Sequence, residues 1–466
     1  MKSGKNIRIF FTLAFLLPMA LSPTLAAAQS EAAGVAVAKK DSVVVPGNLP
    51  DAANIDSIVY IEQPQQTALP KRFNIGFSAE ANFSGLVPLG PQCKAITHNY
   101  GLQYYTASVI FRRNGLRANG YDKDFGLPEL EIGFLVGNTR HIKLYRAEPR
   151  MPYNSTPGTL FAVYGGFRRD IIRSQRWRFG YILENGLGFT TRPYNRYDNS
   201  DNELLGSPIN IYIDMGLYAA YRITPQAEIS LGIDWKHFSN GALDRPNKGL
   251  NSAGVTLRAN YYLDKPQDEF GVSAFDDSDF RKGFYVDVSA GLAARSLQDD
   301  WVINYWSLSP DDPKYRTSHY PIYGAFTCQV APMYRYCRRY ASGIGIDYTY
   351  APYASAIRQR DLYRGLTQYT HSRHVVGLSL RHEVYFRHLS LQIGIGWYLL
   401  RKMGYTADVD EKPYYETIGI RYSFPFTDDR LYIGYNVKAH FAKADCTQFI
   451  LGWRIGGKDK KRRIHQ

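Results

Sequence analysis

The stretch RWRFGYILENGLGF, residues 176–189, decides the fold. Trp177, Phe179, Tyr181, Leu183, Leu187 and Phe189 fall on one side of an extended chain, and Arg176, Arg178, Gly180 and Glu184 on the other. A period of two belongs to a strand, so the segment reads as a strand with one apolar and one polar face. The pattern recurs in PINIYIDMGLYAAYRIT, residues 208–224, where Ile211, Ile213, Met215 and Leu217 oppose Tyr212, Asp214, Gly216 and Arg222. It recurs again in HLSLQIGIGWYLL, residues 388–400. Beyond residue 28 no apolar run is long enough for a membrane-crossing helix, which needs about 18 residues. Instead 37 Tyr, 24 Phe and 40 Gly accompany a mean hydropathy of −0.33, the composition of strands that are apolar on one face only.

Sixteen such segments can be laid along the chain. Eight fall near 72–84, 102–113, 128–138, 158–170, 175–189, 209–222, 227–239 and 252–263. Eight more fall near 283–296, 319–331, 338–351, 372–386, 389–400, 413–425, 429–441 and 445–456. If the first strand runs outward, the long polar connections gather at the outer end, and turns such as Ile171–Ser174, Thr224-Pro225-Gln226 and Arg387-His388 at the inner end. Long outside and short inside is the pattern of an outer-membrane barrel. The expected fold is therefore an all-β, antiparallel, up-and-down outer-membrane barrel of about 16 strands in two eight-stranded halves. The pattern leaves open two tandem barrels or one larger barrel. Connections 114–127 and 264–282 are exceptions to the short inner turns.

The termini complete the plan. Lys2, Lys5 and Arg8, an apolar run from Ile9 to about Leu21 and the ending Ala26-Ala27-Ala28 read as a secretory signal over residues 1–28. An N-terminal extension (29–71), a first barrel unit (72–264), an acidic linker (265–282), a second barrel unit (283–457) and a basic tail (458–466) follow. Four Cys in an exported chain permit disulfides, and Cys328 and Cys337 are expected to flank one hairpin turn, while Cys93 and Cys446 have no evident mate. No His/Cys spacing resembles a zinc site and no Gly-rich loop opens a helix after a strand, so no metal, nucleotide or other cofactor is expected, and no nucleic acid. The net charge of +14 concentrates in loops, at Arg140, His141, Lys143, Arg146 and Arg150 and at Arg358, Arg360 and Arg364. Guanidinium groups there suit the phosphates of an outer-leaflet lipid.

Candidate chemistry lies in WKHFSNGALDRPNKGLNS, residues 235–252. Trp235, His237 and Ser239 share the parity of Ile229, Leu231 and Ile233, so a His and a Ser continue the lipid-facing stripe to its outer rim. Polar groups are costly there, which points to work on lipid. On the returning strand Asn251 shares the parity of Ala253, Val255 and Leu257, and is expected on the same face.

His237-Phe238-Ser239-Asn240, followed by a Pro/Asn/Gly loop and an aromatic strand, resembles the His-x-Ser-Asn signature of the PagL-type lipid A 3-O-deacylases, or acyloxyacyl hydrolases. The likeness covers about residues 72–264, and makes the whole a duplicated or extended form of that family. The resemblance implies an outer-membrane carboxylic ester hydrolase acting on lipid A and lipopolysaccharide without a metal. It makes Ser239 the nucleophile, His237 its general base, and Asn240 with neighbouring backbone N–H groups the oxyanion site. The family places a Glu fourteen residues after the His, where this chain has Asn251. An amide oxygen can orient an imidazole but cannot stabilise the imidazolium by charge, so Asp244 stands as an alternative third member. An outer-membrane phospholipase or esterase, or a non-catalytic porin or lipid-binding barrel, are the rival readings. GYNVKAHFAKADCTQFILGWRI, residues 434–455, repeats the outline with Ala442 in place of Ser and His440 on the lumen parity, and is expected to be non-catalytic.

Overall fold

In a computed structural model the described residues are 73–145, 155–265, 280–440 and 443–456. The expected signal, the N-terminal extension, the basic tail and most of the linker lie outside them. The first half contributes β1 (Phe73–Leu86), β2 (Thr97–His98), β3 (Gly101–Arg113), β4 (Glu129–Asn138), β5 (Lys143–Leu144), β6 (Leu160–Arg173), β7 (Trp177–Thr190), β8 (Ile209–Arg222), β9 (Ala227–Ser239) and β10 (Leu250–Tyr262). The second contributes β11 (Gly283–Arg295), β12 (Tyr323–Arg335), β13 (Tyr340–Tyr350), β14 (His374–Phe386), β15 (Leu389–Leu400), β16 (Tyr414–Ser423), β17 (Leu431–His440) and β18 (Lys443–Gly456). β1-β10-β9-β8-β7-β6-β4-β3 close into one antiparallel barrel and β11 to β18 into another, while β2 and β5 pair separately. Two eight-stranded barrels are thus formed, and the single larger barrel is not.

Each wall follows the alternation seen in the sequence. Along β9, Leu231 and Ile233 are each 59% exposed, whereas Lys236 between the walls is 0% exposed. An eight-stranded barrel is just wide enough for side chains to fill it. Here the filling is ionic and aromatic. Arg178 reaches Glu129 at 2.8 Å, Arg168 reaches Glu228 at 2.9 Å, and Lys236 sits against Asp214 and 3.1 Å from Asp234. Buried charges are tolerable only when paired in this way. Towards the outer end, Tyr104, Tyr164, Tyr212 and Phe238 form one buried cluster with the loop residues Cys93, Ile142, Leu144, Leu204 and Leu205.

Several details differ from the sequence reading. β12 lies about four residues later than expected because Pro332 is inside the strand rather than beyond its end. Lacking an N–H, Pro332 opposes Val286 of β11 but leaves a gap towards β13, where pairing resumes at Met333 with Gly343. That shift places Cys328 opposite Ala290 and Tyr348 in mid-strand, seven positions and about 23 Å from the strand end that precedes Cys337. Cys328 therefore does not flank the β12–β13 turn, contrary to the expectation from sequence. β6 runs on through Arg173 with a register shift between Asp170 and Ile172, which moves its turn from the expected 171–174 to 174–176.

The long inner connection 114–127 also has a structural reason. It holds the helix Gly120–Asp124, started by a reciprocal cap between Asn119 and Asp122 at 2.9 and 3.0 Å. Arg387 holds the Asp122 carboxylate at 2.6 Å, Arg338 holds Asp124 at 3.0 Å, and Arg335 donates to Tyr121 Oη at 2.8 Å. Phe125 meets Phe386 edge-on at 5.5 Å. The connector therefore docks the first barrel onto the inner turns of the second.

Candidate active site

β9 is flanked by β8 and β10, and the register places Asn251 directly opposite His237 and Ser239 opposite Ile211. Directly opposed residues share a face with side chains in reach of one another, as do residues two apart on one strand. His237 Nδ1 consequently lies 2.7 Å from Asn251 Oδ1, and His237 Nε2 lies 2.8 Å from Ser239 Oγ. Asn251 Nδ2 donates to Gly249 O at 3.4 Å, which turns the amide oxygen toward the ring. The Nδ1–H tautomer follows, leaving the Nε2 lone pair to accept the Ser239 hydroxyl proton. Trp235 stacks almost parallel to the imidazole, with centroids 5.3 Å apart and 12° between planes. Gly249 has φ +74°, and a Cβ there would stand 2.9 Å from His237 Cε1. Its missing side chain makes room for the ring.

Ser239 ends β9 only 7% exposed, and the loop 240–249 follows it directly. The Asn240 N–H donates to Asn247 Oδ1 at 3.1 Å, and Asn240 Nδ2 to Asp244 O at 3.3 Å. Asp244 Oδ1 accepts from the N–H of Arg245 at 2.8 Å, and burial pushes its carboxyl up to about 6. Both imidazole nitrogens are occupied without Asp244. The geometry thus brings together Ser239, His237 and Asn251, keeps Asn240 beside them, and directs Asp244 into its own turn. Sequence reasoning missed Gly249 and Asn247. The Pro-Asn-Lys-Gly turn signal marks both, but not that one clears the ring and the other ties the loop.

The second barrel provides a contrast. His440 points inward, where Tyr398 Oη lies 2.7 Å from its Nε2 and Glu411 and Asp445 lie 3.6 and 3.9 Å from its Nδ1. Ala442 lies outside the described residues. Glu411, His440 and Asp445 are close enough together to suggest metal ligands. Arg401 and Arg295 already sit on the two carboxylates, however, and their positive charges oppose a further cation. Of the loop arginines, Arg360 pairs with Asp300 at 2.7 Å and Arg364 with Asp299 at 3.8 Å, and Arg140 donates to His141 at 3.0 Å. Arg146 and Arg150 lie outside the described residues.

Residues 161–260, which contain this triad, match the family model of lipid A 3-O-deacylase (PagL), and residues 299–458 match that of the acyloxyacyl hydrolase C-terminal domain. The chain belongs to the PagL-type family. No curated protein matches it in sequence. Among solved structures, the chain is similar to the outer membrane enzyme PagL, at 13% identity over 39% of this chain and 97% of that one, with a TM-score of 0.25. It is also similar to an outer membrane channel from Pseudomonas putida F1, at 9% identity over 85% and 99% of the two chains, with a TM-score of 0.17. The apolar outer walls and the PagL family together place the chain in the bacterial outer membrane.

Proposed function

We propose that this PagL-family chain hydrolyses an ester-linked acyl chain of lipid A at the outer wall of its first barrel, and that the second barrel is non-catalytic. The observation that carries the reading is the Asn251–His237–Ser239 relay on the lipid-facing wall at its outer rim. His237 Nε2 takes the Ser239 proton as Oγ attacks the ester carbonyl, and Asn251 keeps the ring in the required tautomer. The Asn240 carboxamide and neighbouring backbone N–H groups receive the charge of the tetrahedral intermediate. Collapse expels the sugar hydroxyl, which recovers the proton from His237. Water, deprotonated by the same imidazole, then releases the fatty acid from Ser239. A filled, charge-paired interior favours this reading over a porin.

The test is mass spectrometry of lipid A from cells with the parent chain, with Ser239→Ala and with neither. Loss of one hydroxyacyl chain only with the parent is the expected result. Loss of an acyl chain from glycerolipid instead would move the substrate to phospholipid, and identical lipids in all three would overturn the hydrolase reading.

A further inference from the structure

The loop that follows Ser239 is held from outside its own barrel. Ala242 O accepts the Ser296 N–H at 2.7 Å and the Ser296 hydroxyl at 3.0 Å. Gly241 O accepts the Thr447 hydroxyl at 2.9 Å. In return, Arg245 donates to Ser296 O at 2.8 and 3.2 Å and to Gln298 Oε1 at 3.1 Å. Ser296 follows β11 and Thr447 lies in β18, so both belong to the second barrel. Gly241 and Ala242 take left-handed φ values of 63° and 69°, an unfavourable conformation for Ala that needs external contacts to persist. A Cβ on Gly241 would collide with the Thr447 hydroxyl, so the approach is close.

Fixing a carbonyl also aims an N–H, because C=O and N–H point in opposite directions across a trans peptide. The Ala242 carbonyl, drawn to Ser296, turns the following N–H, that of Leu243, back onto Asn240 O at 3.2 Å. By the same geometry the Gly241 carbonyl, drawn to Thr447, fixes the peptide that carries the Ala242 N–H.

We infer that Thr447 and Ser296 of the second barrel are positioning residues that hold the Gly241–Ala242 and Ala242–Leu243 peptides, which follow Asn240, in the orientation the oxyanion site needs, so that the active site is complete only when both barrels are present. The inference rests on the Ser239 hydrolase reading proposed above. In the full-length chain, Thr447→Val removes the hydroxyl and keeps the shape. It should lower kcat and the rate of Ser239 labelling by a fluorophosphonate by about tenfold, the scale of a small misplacement near the reacting atoms. KM and the pH at which activity rises should not move, since His237 and the lipid contacts are untouched. Thr447→Ser should restore the parent rates. Ser296→Ala, which keeps the backbone bond, should show a smaller loss of the same kind. Rates are taken per folded barrel, read from heat-modifiable migration, so partial misfolding does not mask the result. Parent rates in both Thr447→Val and Ser296→Ala would overturn the clamp and leave the hydrolase standing. If Ser239→Ala is as active as the parent, the hydrolase reading itself fails.

Discussion

The ends of β9 and β17 carry the same local phrase, a strand running into His-Phe, yet the two histidines stand on opposite sides of their walls. His237 lies on the face of Leu231 and Ile233, next to a serine, and His440 lies inside, bound to a tyrosine and flanked by two carboxylates. One residue of register separates these outcomes, because adjacent residues in a strand face opposite ways. Connections differ too. β9 and β10 are joined by residues 240–249, whereas β17 and β18 are separated only by residues 441 and 442. At this place the second barrel has neither that parity nor a connection of that length.

The contrast is broken most directly by removing the reactive pair. Ser239→Ala and His237→Ala should each lower ester hydrolysis by about 10⁴-fold or more, with little further loss in the double variant, because nucleophile and base act as a unit. His440→Ala should leave deacylation near the parent level. Rates on purified, heat-modifiable protein check both statements, and equal losses at 237 and 440 would remove the distinction.

Next in size is the third member. Asn251→Leu should lower turnover by roughly 10²-fold by releasing the ring from its tautomer. Asn251→Glu should support or raise it. It should also move the acid limb of the pH–rate profile to higher pH, since a carboxylate beside the imidazole favours the protonated form, which cannot act as base. Asp244→Ala should be mild. A damaging Asp244→Ala with an active Asn251→Leu would reverse the assignment. Gly249→Ala should cost about tenfold by pressing on His237 Cε1 and by placing a side chain at φ +74°, with the barrel still folded.

Parity itself can be read chemically. A Cys at 237 should react with a bilayer-restricted probe, and a Cys at 236 with a small polar probe or not at all, because Lys236 is wholly buried among carboxylates. The reverse labelling would place the relay inside the barrel.

The smallest expected effect is on stability. Burial raises the Asp244 carboxyl from its ordinary value near 4 to about 6, so folding opposes its ionisation. Its contribution is thus most favourable below the unfolded value and declines as pH rises from about 4 through 6. Asp244→Asn should flatten that decline, by less than about 1 kcal/mol given the residue's partial exposure, in denaturant titrations at pH 4 and 7.

The strands and the relay were both legible in the sequence because each depends on near neighbours. Period two identified the walls, and the parity of 235, 237, 239 and 251 placed four side chains on one face before any pairing was known. What was not legible is held by partners far apart in the chain. Nothing near Asp122 announces Arg387, and nothing near Ala242 announces Ser296. The choice between one barrel and two is likewise a matter of which edge strands meet. Pro332 misled because a proline usually ends a strand, and here it occupies a position whose missing N–H faces a gap in the pairing.

The outward position of Ser239 has a kinetic consequence. On the proposed deacylase reading, a hydroxyl on the outer wall of a cylinder embedded in a leaflet would meet its lipid substrate by diffusion in two dimensions, so the relevant concentration would be the mole fraction of substrate among its lipid neighbours. Spreading a fixed amount of lipid A through more detergent should slow the reaction while the molar concentration stays constant. Saturation then measures how crowded the surface is, and turnover in the cell would follow the composition of the outer leaflet.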